Sequence, residues 1–399
     1  MFVDRKKYWI FLGILSITLS LGHFGCGEEI VPLKDNWESA IPFQKVPEGI
    51  PDITAKTCGL CHVQHYQEWK LSTHAHAWTD LQFQAELRKE SSPYLCINCH
   101  IPLENQQEFI IHGLTGGDIY RPVKEVNPDF DEEFQLEGIS CATCHVRDGY
   151  VIGPLGTGEA PHPVKKDPDF LNESLCISCH NASAVVTPEL VCSFETGDEW
   201  RAGPFYPEKT CITCHMDTVR RPLVANYPER LSHRHWFAGS GIPKVKGVAS
   251  KALEGLAYFP GTLDEEYNVG QAIEYSLAIQ NKYAGHRLPS GDPERFYLIN
   301  LEWEEVVSGE ILADTTFRIG EKWTWYPEAK KLEDNNLEIG EKRSYSLSII
   351  PSKPGSLQLK ATITKHRMDE KTAEYNGLGD NYPRYITVFS EEKTISVLK

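Results

Sequence analysis

Two unlike patterns of apolar and polar residues divide the chain. After about Leu263, short runs rich in β-branched and aromatic residues alternate with polar positions and are separated by Gly, Pro, Asn and Asp. They cover Tyr275–Ile279, Phe296–Glu302, Ser344–Ile350, Ser356–Thr364 and Tyr385–Phe389. Period-two alternation bounded by turn residues predicts strands, and a series of such strands predicts an all-β sandwich, immunoglobulin-like, over residues 263–399. The tetrapeptide Ile-Gly-Glu-Lys occurs at Ile319–Lys322 and again at Ile339–Lys342, and each copy is expected to turn the chain into a strand. Trp323 and Trp325 alternate as strand residues do, which suits cross-strand packing.

From Thr57 to about Gly247 a repeated pentapeptide sets the pattern instead. Cys-x-x-Cys-His occurs at Cys58–His62, Cys96–His100, Cys141–His145, Cys176–His180 and Cys211–His215, and it consumes ten of the twelve cysteines. This is the signature of covalent c-type haem attachment. The thiol pairs Cys58/Cys61, Cys96/Cys99, Cys141/Cys144, Cys176/Cys179 and Cys211/Cys214 are spaced to add to the two vinyl groups of one haem each. His62, His100, His145, His180 and His215 then supply the proximal iron ligand. Zinc ribbons also use paired Cys-x-x-Cys units, but they do not require a His directly after every second Cys. Successive motifs start 38, 45, 35 and 35 residues apart, room for a short helix and a loop per haem. Five haems would therefore form much of their own core, and without them this region is expected to be largely unfolded. The expected fold class is α+β by domains: a mostly helical and loop multihaem cytochrome c domain over residues 53–250, followed by the sandwich.

Arg5, Lys6 and Lys7 precede an uncharged apolar stretch from Tyr8 to Leu21 that is short for a spanning helix, so residues 1–25 are expected to be an export signal. That agrees with haem c, which is attached outside the bacterial cytoplasmic membrane. Cys26 follows Gly25 where a lipoprotein signal places its lipidated cysteine, although His23 stands where Leu is usual. The polar, Pro-bearing stretch 26–52 is expected to be an extended, poorly ordered tether. A formal net charge of −16 argues against nucleic acid and for redox partners with a basic docking patch. The expected location is periplasm or outer membrane, with a lipid on Cys26.

The sixth ligand of each iron decides between an electron carrier and an open, reactive site. Nine histidines lie outside the motifs and the export signal: His65, His74, His76, His112, His162, His233, His235, His286 and His366. His112 is a candidate because the Gly-rich loop around it can approach a haem face closely. Cys58–Ala77 continues from its motif into Trp69-Lys70-Leu71-Ser72-Thr73-His74-Ala75-His76-Ala77 and so resembles the multihaem cytochromes of the c-552/c-554 type. In that family a Trp-x-x-Ser-x-His-Ala-x-Ala segment carries a distal ligand, which maps to His74. The same resemblance extends to Ala160-Pro161-His162-Pro163, to His235-Trp236-Phe237-Ala238-Gly239 after the last motif, and to Gly285-His286-Arg287-Leu288-Pro289-Ser290-Gly291. It implies His162, His235 and His286 as further distal ligands, the last of which would clamp the sandwich onto the haems. Against this, Pro289 and Gly291 alone would shape a turn that His286 merely caps.

The expected function is an exported pentahaem cytochrome that relays electrons between envelope partners through bis-His haems. The alternative is an oxidoreductase acting on nitrite, hydroxylamine or tetrathionate at one open haem. If His112 is not a ligand, the haem of Cys96–His100 would be open, with Arg121, Tyr94 and Tyr120 as nearby candidates. Cys26→Ser is expected to move the protein from the membrane fraction to the soluble fraction, as read by fractionation and immunoblotting; retention in the membrane would exclude the lipid anchor.

Overall fold

The motifs sit on short helical turns, because a three-residue spacing on a helix places both thiols on one face. The computed structural model describes residues 28–34, 38–90, 92–187, 190–325 and 327–399, so the expected export signal, residues 1–25, and Cys26 lie outside the described residues. Four motifs close a short helix: Tyr94–His100, Cys141–His145, Glu173–His180 and Cys211–His215. The first is divided between Ala55–Gly59, which holds Cys58, and Val63–Lys70, which His62 caps, with Cys61 in the turn between them. Side-chain caps start two of these segments: Thr54 accepts from the Thr57 N–H at 3.2 Å, and Asn172 accepts from the Ser174 N–H at 2.7 Å. Helices this short do not hold themselves together in water. Their stability has to come from what they enclose.

Ordinary apolar packing supplies little of it. Among the described residues the haem-motif half contains only small buried clusters: Ile53, Leu103, Phe134, Ala142 and Val146 in one, Ala55, Trp69 and Ala75 in another, and Tyr94, Leu95 and Leu114 in a third. The stretch expected to be a loose tether is instead docked on this half. Ile30–Val31 pairs with Phe109–Thr115, Ile41 N donates to Pro102 O at 2.8 Å, and Gln44 N donates to the buried Asn105 at 2.9 Å. Satisfied backbone groups hold it down, which polar composition does not reveal. Small hairpins also appear here, such as Phe109–Thr115 with Pro122–Val126 and Thr218–Pro222 with Glu229–His233.

The C-terminal part is built from two sheets around one core. A five-stranded sheet has the order Glu266–Asn268, Tyr385–Leu398, Gly355–His366, Phe296–Glu305, Glu310–Ile319. A three-stranded sheet has the order Leu256–Pro260, Ile273–Asn281, Lys342–Ile349. Ile273, Tyr275, Leu277 and Ile279 from the smaller sheet meet Ile299, Leu301, Trp303, Leu359, Ala361 and Ile363 from the larger. Each set alternates along its strand, as side chains pointing to one face must. All five expected strands are present. Leu256–Pro260 begins ahead of the expected boundary at 263, and Glu310–Ile319 was not expected because Asp314, Thr315 and Thr316 interrupt its apolar pattern at the sheet edge. Both Ile-Gly-Glu-Lys copies lead into strands, with Gly320 and Gly340 at φ +142° and +80°. Among the described residues no helix is long and apolar enough to cross a membrane.

Two polar seams fasten the halves together. In one, Glu199 of the helix Thr196–Ala202 accepts from Arg287 N at 3.2 Å and from the Ser290 hydroxyl at 2.8 Å, while Thr196 bonds Ser290 at 2.7 Å. Gly203 permits this approach, since a Cβ there would lie 2.9 Å from the Gly285 carbonyl. In the other, Asp80, 1 % exposed, pairs with Lys244 and accepts from the Tyr382 hydroxyl at 2.7 Å. Burial works to raise the Asp80 pKa, but Lys244 and Arg367 hold the carboxyl below its usual range.

Trp303 is fully enclosed between the sheets. Trp303→Ala is expected to destabilise the protein by about 3–5 kcal/mol, measured by urea unfolding of the haem-loaded chain followed by far-UV circular dichroism.

Candidate haem-binding site

The motif helices bring the cysteines of different motifs into contact. The Cys58 thiol is a direct neighbour of Cys141, Cys99 of Cys179, and Cys176 of Cys211. Cys144 faces Cys179 electrostatically, so the third and fourth motifs are also neighbours. The motifs are therefore linked first to third, third to fourth, and fourth to both second and fifth. Among the described residues no group of three or more Cys, His, Asp or Glu is arranged to hold a metal ion.

Cys61 is exposed, whereas Cys58 and the cysteines of the other four motifs are half-buried. The reason is local. The helix Ala55–Gly59 ends two residues before Cys61, so its side chain leaves the face that carries Cys58 and stands in an open turn, tied back only by its N–H to Cys58 O at 3.3 Å. The first motif thus presents one thiol inward and one to solvent.

The histidines are oriented for iron. Nδ1 of His62, His100, His145 and His215 meets the backbone carbonyls of Leu223, Ala77, Ile152 and Ala238 at 3.3, 2.8, 3.0 and 2.5 Å. A ring whose Nδ1–H is spent on a carbonyl presents Nε2 as a neutral donor, as metal-bound histidines do. His235 and His286 are held in the same way, by His233 O at 3.0 Å and Arg287 O at 2.8 Å. Burial pushes His74 and His235 down to about 3 and His100, His180 and His286 down to about 4, so these rings are neutral at physiological pH.

Three pairs of rings are placed to share an iron. Ring centroids lie 6.2 Å apart for His74 and His180, 6.2 Å for His145 and His235, and 6.4 Å for His215 and His286. An imidazole nitrogen sits about 2 Å from a transition metal, which puts the centroids of two rings on opposite sides of one iron about 6 Å apart. These residues fit a haem on two counts: the ring spacing, and the Nδ1 contacts with backbone carbonyls that leave Nε2 of His145, His215, His235 and His286 to face a metal.

The local sequence explains how His74 is delivered. The Trp69 indole donates to Ile139 O at 2.8 Å, the Ser72 hydroxyl accepts from Ala75 N at 3.3 Å, and Gly138, at φ +61°, leaves room where a Cβ would come within 2.8 Å of His74 O. His162 is an electrostatic neighbour of His62, and its buried Nδ1 has no partner. His65 lies 6.1 Å from His62 but edge-on at 87°, one helical turn along the same segment, and bonds Ser232 at 3.0 Å.

The structure does not bring His112 to a motif. Its side chain is 49 % exposed on the strand Phe109–Thr115, where Nε2 lies 3.0 Å from Glu125. The ring beside His100 is Phe83, stacked at 3.5 Å and 5°. Arg121 and Tyr120 are exposed, with Arg121 paired to Glu28, while Tyr94 packs in the cluster with Leu95 and Leu114. His76 keeps a buried, unpartnered Nε2. His233 is exposed against Met216 O, and His366 stacks between Phe296 and Tyr385. Met368 is enclosed by Ala373, Tyr382 and Leu378.

One positioning residue carries no sequence signal. Glu68, on the helix Val63–Lys70, accepts from Arg221 at 2.6 and 2.9 Å, from Arg234 at 2.9 Å and from His235 N at 2.8 Å. Burial opposes its charge, but these donors hold its pKa below the usual glutamate range. The depressed value makes the network's contribution complete above the normal carboxylate range and lost as pH falls through the folded-state value. Glu68→Gln leaves the Arg221 guanidinium buried and unpaired, with an expected cost of about 3–5 kcal/mol and a disturbed His235, read by chemical unfolding and by the EPR g-values of one haem.

Comparison with known proteins agrees with this geometry. The family description "Cytochrome c554 and c-prime" matches residues 57–116. No curated protein sequence matches the chain. A penta-haem cytochrome c552 from Thermochromatium tepidum has the same fold, with a TM-score of 0.59 and 16 % identity over 86 % of this chain and 99 % of that one. Likenesses to a β-glucosidase from Listeria innocua (10 % identity over 36 % of this chain and 16 % of that one) and to a CARDB domain from Pyrococcus furiosus (14 %, over 36 % and 85 %) have TM-scores of 0.20 and 0.18, too low to inform the reading. Residues 57–116 thus resemble the cytochrome c554 and c-prime family, and the chain as a whole shares the fold of a multihaem c-type cytochrome.

Proposed function

We propose that the chain carries five haems and relays electrons between redox partners of the bacterial envelope. The observation that carries this reading is the set of three imidazole pairs 6.2–6.4 Å apart, each combining a motif histidine with one from elsewhere. Capped on both sides, such an iron binds no substrate and stays low-spin, so its chemistry is gain and loss of one electron. His62 with His162 makes a fourth pair in this reading. Axial imidazoles, rather than Met, keep the potentials low. The contacts between motif cysteines give the relay a branch at the haem of Cys176/Cys179, with arms toward the second, third and fifth haems.

Export with a lipid on Cys26, an immunoglobulin-like sandwich, and partners with basic docking faces complete the proposal; a net charge of −16 supports the last. One observation favours a second reading at a single haem. His100 is stacked on Phe83 rather than set opposite another imidazole, which suits an iron open to a small nitrogen or sulfur compound.

Low-temperature EPR of the fully ferric protein, after a haem count by pyridine haemochrome, tests both. Four or five low-spin haems are expected. A high-spin signal equivalent to one haem, lost in a Cys96→Ser/Cys99→Ser variant, establishes the second reading at that motif. High-spin signals from several haems, or fewer than five haems per chain, overturn the relay.

A further inference from the structure

Each motif histidine has a cationic side chain as an electrostatic neighbour: Arg230 for His62, Lys244 for His100, Arg147 for His145, Arg295 for His180 and Lys365 for His215. Lys244 is neutralised by Asp80, and Arg147 donates to the carbonyls of Ala142, Val146 and Thr143. Arg295 and Lys365 belong to the sandwich, and their carboxylate neighbours, Asp292 and Glu254, stand beyond ion-pair distance. Among the described residues the Arg295 guanidinium donates to Ser290 O at 3.1 Å, the Lys365 ammonium lies 5.8 Å from the Tyr297 ring centre, and neither forms an ion pair. Burial pushes the Lys365 ammonium down to about 8 and lowers Arg295, with Glu254 and Asp292 as their more distant carboxylates.

A partly desolvated cation with no carboxylate in ion-pair range is costly. Here two half-buried ones, both from the sandwich, are electrostatic neighbours of the histidines of the fourth and fifth motifs, and Arg295 is tied through Ser290 O to the loop whose His286 ring lies 6.4 Å from His215. Arg295 follows the loop that carries His286, and Lys365 stands opposite Tyr297 near the end of the strand Gly355–His366. The anions that accompany every haem c are its two propionates, and each is a carboxylate of the kind a guanidinium or ammonium neutralises.

We propose that Arg295 and Lys365 hold propionates of the haems attached at Cys176/Cys179 and Cys211/Cys214, so that the sandwich supplies charge to the haem chain as well as His286. The assignment rests on the reading that these two motifs carry haem. It makes the sandwich a tuning element. A cation beside a haem favours the ferrous state, because reduction adds an electron there.

The test is a spectroelectrochemical titration of the haem-loaded full chain with the variants Lys365→Gln, Lys365→Arg and Arg295→Gln. Lys353→Gln, exposed just ahead of the far end of the same strand, serves as the charge control. The expected result is a lower midpoint for one haem in Lys365→Gln and in Arg295→Gln, restored by Lys365→Arg and absent in Lys353→Gln, with the low-spin EPR signals unchanged. Unchanged midpoints in variants that keep all their haems overturn the proposal. A haem count below five in the unsubstituted protein defeats the underlying reading instead. Redox difference infrared spectra of the unsubstituted protein, with the haem carboxylates isotope-labelled, do not depend on the variants assembling. Ionised carboxylate bands at neutral pH are expected, and bands of the protonated acids in their place overturn the assignment.

Discussion

The structure depends on keeping imidazoles neutral and fixed inside a region with little hydrocarbon to bury. The motif rings, and the rings brought opposite three of them, are enclosed deeply enough that burial suppresses protonation. A neutral ring still needs its N–H satisfied, and backbone carbonyls do that at Leu223, Ala77, Ile152 and Ala238. The small hairpins and irregular segments between the motifs are what place those carbonyls. A regular helix or sheet spends its carbonyls internally and has none to offer. This explains why a domain with so little long secondary structure is nonetheless specific.

The sandwich answers a complementary need. It folds around a conventional apolar core that owes nothing to haem, and so provides a rigid wall where the fourth and fifth motifs need one. Loop 285–291 projects His286 from that wall, and Glu199, Thr196 and Gly203 receive it. The second seam does the same around Asp80, where one buried carboxylate gathers a lysine, an arginine and a tyrosine from segments far apart in sequence. Both seams are polar, one buried and one half-buried, so they fix orientation more than they add stability.

What the sequence made legible follows from how local the chemistry is. Covalent haem attachment needs thiols three residues apart and a neighbouring imidazole, so the motifs are plain in the sequence, as are His74, His235 and His286, which stand in segments of recognisable type. His112 misled because flanking glycines say that the backbone can approach something, not which way a strand presents its side chains. The docking of residues 30–44 on residues 102–115 was hidden because hydrogen bonds between distant backbone groups leave no compositional trace. Glu68, Arg295 and Lys365 read as ordinary surface charges. The burial of Glu68, and the half-burial of Arg295 and Lys365, arise only when elements far apart in the chain are brought together.

The docked N-terminal segment sets a length scale. Ile30 is already paired in a sheet, and only three residues separate it from Cys26. Four extended steps of chain reach at most about 14 Å. If Cys26 carries a lipid, this protein has no stalk: its body rides directly on the bilayer, with the corner bearing residues 28–31 and 113–117 turned to the headgroups. Such a molecule meets its partners by sliding and turning within a two-dimensional layer, and the haem edges that face sideways, rather than outward, are the ones those collisions sample.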